Sequence, residues 1–291
     1  MREECQLTVS TKNVLSFEVE DRFHDGHNQG SNKDSRSRIL PILIHLLDTL
    51  DNQKASATFF FLGCVAERFP EIVALVDSRG HEVASHGYSS THIEIMPADK
   101  LVENMISSRE LLERVLDKRV FGIKPHQKHS RHIDPFVVES AARAGYRYLS
   151  GTLPEKSIRS SEPHFSKRTE NDLTIDIIPQ CVWEKWRIKI EFGERLRLFP
   201  SWFIQKAIER LNRNKQKAII NFKLWELDKH QVRPPGSDFT NYARYGNLNL
   251  TEEKLIRLLE NFEFTSFADS LGLVPESKID TFEDMDERPL S

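Results

Sequence analysis

Short apolar runs alternate along the first half of the chain with longer segments whose apolar residues recur at helical spacing. An apolar run bounded by a turn residue is typical of a strand buried on both faces, and its alternation with helices predicts βα units and a parallel sheet. The predicted strands are NVLSFEVED, ASATFFFLG, HEVASH, VFGIKP and YRYLSGTLP. The predicted helices between them are RILPILIHLLDTLDNQ, CVAERFPEIVALVDSRG, MPADKLVENMISSRELLERVLDK and DPFVVESAARAG.

The pattern loosens between about residues 156 and 199, where RTENDLTIDIIPQCVWEK predicts short strands or a hairpin. Beyond it, SWFIQKAIERLN is helical, KAIINFKLWEL is a strand, TEEKLIRLLENF is helical and FEFTSFADSL is read as a last strand. No internal repeat or domain-sized linker interrupts this order. We therefore expect one domain over residues 1–275 and an acidic, polar tail over residues 276–291.

Composition narrows the class of protein. A charged fraction of 29% and a mean hydropathy of -0.49 predict a soluble protein, and no apolar run approaches the roughly 20 residues of a transmembrane helix. A net charge of -3 gives no reason to expect a nucleic-acid partner. The three cysteines are too few and too widely spaced for a disulfide framework. With a polar N-terminus that lacks a signal-peptide core, the sequence predicts a cytoplasmic protein.

Polar side chains follow several of the predicted strands. In a βα barrel the reactive residues gather where the parallel strands end, so these side chains are expected to lie together. Carboxylates and imidazoles from different strands suit zinc or a similar divalent metal. The residues concerned are Glu18, Glu20 and Asp21 after the first strand, His86 after the third, Lys124 and Pro125 after the fourth, and Lys223, Trp225 and Glu226 at the late strand.

The segment KPHQKHSRH carries a further cluster of histidines, His126, His129 and His132. Their spacing of three is compatible with metal binding, yet a basic loop is the more ordinary interpretation. His92 follows His86 in SHGYSSTH, within the same loop. The sequence leaves open which of these histidines would join His86 at a metal.

The stretch TFFFLGCVAERFPEIVALVDSRGHEVASHGYS resembles the polysaccharide deacetylase family, the NodB-homology or carbohydrate esterase 4 fold. LSFEVEDRFHD, KLWELDKHQVRP and FTNYARYGNLNLTEEKLIRLLENFEF resemble, more narrowly, the branch found beside bacterial exopolysaccharide gene clusters. The resemblance covers about residues 13 to 268. It implies an α/β fold, a distorted (β/α)7 TIM-like barrel, and metal-dependent hydrolysis of N-acetyl groups on an amino-sugar polymer.

The resemblance also implies roles, and four positions depart from the family pattern. The general base, normally aspartate, falls on Glu18; the base-orienting arginine position is Lys124; and the late-strand acid histidine is Lys223. The first metal histidine is His86, but the second position is Ser90. The metal set implied is Glu20 or Asp21 with His86 and a substitute such as His92, His126 or His129, and the implied substrate contacts are Pro125, Trp225 and Glu226.

Three hypotheses follow from these departures. The first is an active deacetylase with a rearranged metal site and zinc or a similar metal as cofactor. The second, favoured by the four substitutions, is a catalytically inactive pseudo-deacetylase without a required cofactor. It would bind an amino-sugar polysaccharide or oligosaccharide, or proteins of exopolysaccharide biosynthesis, with Trp202 and Trp225 offering stacking surfaces. The third is hydrolysis of a small amide on the same fold, because fold alone does not fix function.

Overall fold

The computed structural model describes residues 12–20, 38–89, 96–126, 133–151, 165–169, 173–179, 182–185, 188–191, 196–230 and 246–273. The strands, in chain order, are β1 Asn13–Val19, β2 Thr58–Phe61, β3 Glu82–Ser85, β4 Gly122–Ile123, β5 Tyr148–Ser150, β6 Phe165–Arg168, β7 Thr174–Ile178, β8 Val182–Lys185, β9 Ile188–Glu191, β10 Ile219–Lys223 and β11 Phe264–Thr265. The helices are α1 Ile39–Asn52, α2 Gly63–Arg68, α3 Pro70–Ser78, α4 Ala98–Leu116, α5 Pro135–Arg143, α6 Ser201–Arg213, α7 Thr251–Asn261 and α8 Phe267–Leu271. Three 3-10 turns lie at Leu196–Leu198, Leu224–Leu227 and Leu248–Leu250.

The main sheet is a curved, mostly parallel ladder in the order β10-β1-β2-β3-β4-β5-β7-β6, and β11 pairs with β1. The seven strands from β10 to β7 are parallel neighbours, and β6 is antiparallel at the edge. β8 and β9 form a separate antiparallel hairpin. This arrangement confirms the predicted α/β class and the distorted barrel.

The outward face of the sheet carries the main apolar core. Phe17, Phe59 and Phe222 lie side by side on three neighbouring strands, with ring centroids 5.2 and 5.9 Å apart. They are buried against the surrounding helices in a cluster that runs from Leu15 to Phe264. Prolines at the first turns of α3 and α5 fit helix starts, because proline's missing N–H is not needed there.

The side chains on the inward face of the sheet change from apolar at the start of the strands to polar at their carboxyl ends. Side chains two residues apart share a face, so β1 presents Val14 inward at its start and Ser16 and Glu18 further along. At the start of the strands, a second apolar cluster fills the interior, and its members include Val14, Phe60, Tyr148, Ile219 and Phe267. The Tyr148 ring lies so close to Gly122 that a Cβ there would meet it at 1.8 Å. The barrel is thus plugged at its base and polar at its carboxyl end.

The predicted last strand is mostly wrong. β11 is only two residues long, and the chain then turns into α8, whose first turn is capped by the Ser266 side chain accepting from the Asp269 N–H at 3.1 Å. The apolar residues of this segment serve the interior plug, which a short helix fills as well as a strand would. The predicted tail over 276–291 lies outside the described residues. Among the helices that the structure describes, none combines the length and apolarity needed to cross a membrane.

Candidate active site

The polar side chains meet at the carboxyl ends of β1, β3, β4 and β10. Glu18 lies opposite Lys223 in the parallel register of β1 and β10, and Glu20 follows two residues later on the same inward face. His86 comes directly after β3, and Lys124 and His126 follow β4. The strand ends therefore bring together five of the residues that the sequence predicted for the site: Glu18, Glu20, His86, Lys124 and Lys223.

Glu18 is buried and held by two lysines. Lys124 Nζ lies 2.6 Å from Glu18 Oε1, Lys223 Nζ lies 3.6 Å from Oε2, and Asn221 Nδ2 donates to Oε1 at 2.9 Å. His86 Nε2 is 3.7 Å from Oε2. Burial raises the pKa of Glu18, but the positive charges of Lys124 and Lys223 outweigh burial and hold the pKa well below its ordinary value.

Glu20 is almost fully buried, with 1% of its surface exposed. Lys223 Nζ lies 2.7 Å from Oε1, and His126 Nδ1 lies 3.6 Å from Oε2. Burial raises the pKa of Glu20, and the Lys223 charge reverses that effect, so the pKa is lowered overall. Neither carboxylate oxygen accepts a well-directed hydrogen bond from the described residues. Oε2 therefore keeps lone pairs for a cation, whereas Oε1 already faces the Lys223 ammonium.

The turn after β3 fixes the His86 ring. Gly87 adopts a left-handed conformation with φ +85°, which glycine tolerates without strain. Its N–H donates to the Ser85 hydroxyl at 3.1 Å, and its carbonyl accepts from the Ser108 hydroxyl of α4 at 3.1 Å. His86 Nδ1 lies 2.5 Å from the Lys124 carbonyl oxygen. Because that carbonyl can only accept, Nδ1 carries the proton and Nε2 is left as a ligand atom.

His126 completes a cluster that fits a metal. One ligand atom each from Glu20, His86 and His126 lies within 4.8 Å of the others. His126 Nδ1 is 3.3 Å from His86 Nε2 and 3.6 Å from Glu20 Oε2. Ligand atoms about 2.0 Å from a tetrahedral zinc ion lie about 3.3 Å apart, so these separations suit zinc. Burial and the neighbouring His86 lower the pKa of His126 to about 4, which favours the neutral imidazole that a metal requires.

Buried polar contacts hold the end of β10 in place. Glu226 accepts the Lys223 backbone N–H at 3.0 Å and pairs with the buried Arg197 guanidinium. Arg197 also donates to the Gly246 carbonyl at 3.1 Å, and its guanidinium carbon lies 5.9 Å from the Trp225 ring centroid. Glu226 and Trp225 are 1% and 6% exposed. Their side chains support the end of β10, and their substrate contact, like that of the buried Pro125, stays a prediction.

Two of the alternatives that the sequence left open are seen in the site. Glu20 and His126 lie beside His86 in the part of the chain that is described, and the choice against Asp21, His92 and His129 stays a prediction. Asp21, Ser90, His92, His129 and His132 lie outside the described residues.

Sequence reasoning missed Asn221 and Arg197. The sequence could have indicated Asn221, because it lies two residues before Lys223 on the same strand and therefore points to the same face of the sheet. Arg197 had no such signal, because 29 residues separate it from Glu226.

Fold and site together define a distorted β/α barrel with a buried polar cluster at the carboxyl ends of its strands. Residues 41–149 match the family model described as polysaccharide deacetylase, and residues 156–272 match a domain of unknown function, DUF3473. The match to the polysaccharide deacetylase family covers 109 of the 291 residues, so it shows a similarity of that part of the chain.

Two segments of the chain are also similar to curated relatives. A segment of 80 residues is 36% identical to a peptidoglycan-N-acetylglucosamine deacetylase of Bacillus cereus, covering 28% of this chain and 29% of the relative. A second Bacillus cereus protein of that description is 28% identical over 102 residues, covering 35% of this chain and 46% of the relative. The matches thus span less than half of these relatives.

A solved structure supports the fold. The chain superposes on a provisionally assigned polysaccharide deacetylase from Mycobacterium smegmatis with a TM-score of 0.58 and 16% identity, covering 91% of both chains. At this identity the similarity concerns the fold alone.

Proposed function

We propose that this chain is a deacetylase-like protein that binds amino-sugar polymers carrying N-acetyl groups and hydrolyses those groups weakly or not at all. The observation that carries the proposal is the pairing of both site carboxylates with lysines. Lys124 lies 2.6 Å from Glu18, and Lys223 lies 2.7 Å from Glu20. The N-acetylated substrate class comes from the family and from the peptidoglycan-N-acetylglucosamine deacetylases that the chain resembles.

The paired state of Glu18 opposes its use as a general base. A base works best when its pKa lies near the working pH, so that it holds lone pairs and still binds a proton strongly. The two lysines lower the pKa of Glu18 instead. Its longer side chain also displaces the carboxylate relative to an aspartate, and a misplacement of about 1 Å can cost about 100-fold in rate.

Lys223 at the acid position adds to this effect. An ammonium with an ordinary pKa near ~10.4 is a weak proton donor at neutral pH. Here it is also ion-paired with Glu20 at 2.7 Å, so its protons face a carboxylate rather than a leaving group. Amide hydrolysis needs one group that takes a proton from water and another that gives a proton to the leaving amine. Both proton transfers are therefore weakened here.

A second candidate function is favoured by the cluster of Glu20, His86 and His126. These residues would hold a divalent metal, which would supply a Lewis acid for an acetyl carbonyl. In that case the protein is an active deacetylase in which His126, from the loop after β4, stands in for the histidine missing at Ser90. The surrounding residues would orient the substrate, and Glu18 would take the proton from the attacking water.

A cytoplasmic location and a role beside exopolysaccharide biosynthesis proteins complete the proposal. Both rest on the sequence: the three widely spaced cysteines, which do not form a disulfide framework, for the first, and the likeness of the motifs around Lys223 and Tyr242 to the exopolysaccharide branch for the second.

The test is to follow acetate release and saccharide binding on the same preparation. Purified protein is incubated with N-acetylglucosamine oligomers in the presence of Zn²⁺ or Co²⁺, and binding of the oligomers is measured by calorimetry. The proposal expects saccharide binding with little or no acetate. Stoichiometric metal with sustained acetate release would establish the second candidate instead, and neither binding nor release would contradict both.

A further inference from the structure

One ammonium group lies against the carboxylate that a metal would use. Lys223 Nζ is 2.7 Å from Glu20 Oε1, while Glu20 Oε2 faces His126 Nδ1 at 3.6 Å. The same ammonium is 3.6 Å from Glu18 Oε2. It therefore neutralises the ligand carboxylate at Oε1, while His126 lies near Oε2.

The formal charges of the cluster already cancel. Glu18 and Glu20 contribute two negative charges, and Lys124 and Lys223, which lie 2.6 and 2.7 Å from them, contribute two positive charges. A divalent metal added beside Lys223 would leave two unbalanced positive charges among buried side chains. Like charges at such separations repel strongly where water is excluded.

The chain holds Lys223 in this place through its backbone. The residue ends β10 opposite Glu18, and its N–H donates to Glu226 Oε2 at 3.0 Å. Glu226 is in turn fixed by the buried Arg197 guanidinium. The main chain of Lys223 is thus rigid, and only its flexible side chain can leave Glu20.

We propose that Lys223 is a resident cation that excludes divalent metals from the Glu20, His86 and His126 site. Metal binds there only when the Lys223 ammonium moves away from Glu20, so Lys223 sets the metal affinity of the site. The inference deepens the proposed function and rests on it for the identity of the site.

Lys124 provides a matched control inside the same cluster. Its ammonium pairs with Glu18 at 2.6 Å rather than with the ligand carboxylate Glu20. Its contact with His86 is made by the backbone carbonyl, which a side-chain substitution keeps. Lys124→Met removes the same unit of charge from the cluster as Lys223→Met, but from the other carboxylate.

The experiment is a calorimetric titration with Zn²⁺, repeated with Co²⁺ and read by visible absorption, which reports coordination independently of activity. Lys223→Met should bind metal at least about tenfold more tightly than wild type, because the competing charge at Glu20 is gone. Lys124→Met should gain less than about threefold, and Lys223→Arg should remain close to wild type. Adding Glu20→Gln to Lys223→Met should abolish the gain.

Equal gains in metal affinity from Lys223→Met and Lys124→Met would show a general effect of charge and overturn exclusion by Lys223. No gain in metal affinity from Lys223→Met would also overturn the proposal. If Lys223→Met fails to fold by circular dichroism, Lys223→Gln carries the same expectation with a polar side chain. Acetate release by wild type together with the Lys223→Met gain would contradict the proposed function and leave this inference standing. Saccharide binding without acetate release, together with no gain in metal affinity for Lys223→Met, would contradict this inference and leave the proposed function standing.

Discussion

The barrel interior contains carboxyl groups at both ends, buried at the carboxyl end and half-buried at the amino end, and their partners differ. At the carboxyl end of the strands, Glu18 and Glu20 lie against lysine ammonium groups at 2.6 and 2.7 Å. At the amino end, Glu82 accepts from the Thr58 hydroxyl at 2.6 Å, the Tyr148 hydroxyl at 2.8 Å and the Ala268 N–H at 2.8 Å. These three donors at Glu82 are all neutral.

The difference shows what decides the ionisation of a carboxyl group inside this fold. Burial opposes the charged form at both ends. Burial raises the pKa of Glu82 from its ordinary 4.5 to about 7, because three neutral hydrogen bonds only partly offset it. The lysine charges at the other end outweigh burial and lower the pKa of Glu18. One end is thus a charged cluster suited to ligands, and the other is a hydrogen-bonded joint between β2, β3, β5 and α8.

The largest effect is expected where a charge partner is removed. Lys124→Met leaves the buried Glu18 carboxylate with less compensation, and breaking a buried pair of this kind costs about 3 kcal/mol. Urea denaturation of the variant and wild type measures the loss. The control is Lys118→Met, which breaks the partly exposed Lys118–Asp77 pair at 2.8 Å and should cost less than about 1 kcal/mol. Equal losses of stability in Lys124→Met and Lys118→Met would mean that the ion pair at the carboxyl end stabilises the protein no more than the surface pair does.

An intermediate effect is expected from pH at the amino end. The folded-state pKa of Glu82 lies above the unfolded value, so its stabilising contribution is complete below about pH 4.5 and is lost as the pH rises through about 7. The free energy of unfolding of wild type, relative to Glu82→Gln, should therefore fall between these two pH values. A difference that stays constant with pH would show that Glu82 is not held in the protonated form.

The smallest effect is expected from a single hydroxyl. Tyr148→Phe removes one donor to Glu82, so it should cost about 1 kcal/mol and raise the pKa of Glu82 further. Tyr146→Phe is the matched control, because its buried hydroxyl donates to the Met105 carbonyl at 2.9 Å instead. Carbon-detected NMR titration of Glu82 separates the two variants. A pKa shift in the Tyr146 variant equal to that in the Tyr148 variant would contradict the assigned contact.

Much of the fold could be predicted from the sequence because its signals are local. Buried strands such as β2 and helices such as α1 have the periodicity that burial demands, and the order of strands and helices predicts a parallel sheet. The same alternation of strands and helices predicts that the polar residues at the carboxyl ends of the strands lie together. β11 was overestimated because FEFTSFADSL is apolar in a pattern that both a strand and a short helix against the interior plug can use.

The arrangement of the site was less predictable because it depends on loops and distant pairs. His126 reaches His86 through two loop residues after the very short β4, and no periodicity fixes such a direction. The Arg197–Glu226 pair joins positions 29 residues apart. The lysine substitutions themselves are visible in the sequence, but only the structure shows that each lysine lies closest to a different carboxylate.

The most direct test of the central claim compares acetate release by wild type and by Glu18→Asp/Lys223→His. This variant restores the family's residue types at the base and acid positions and removes the ammonium from Glu20. With Zn²⁺ and N-acetylglucosamine oligomers, we predict that wild type releases acetate at least about tenfold more slowly than the variant, since removing misplaced or mispaired groups recovers part of a ~100-fold loss. A wild-type rate equal to or above that of the variant would contradict the claim that lysine pairing weakens this site.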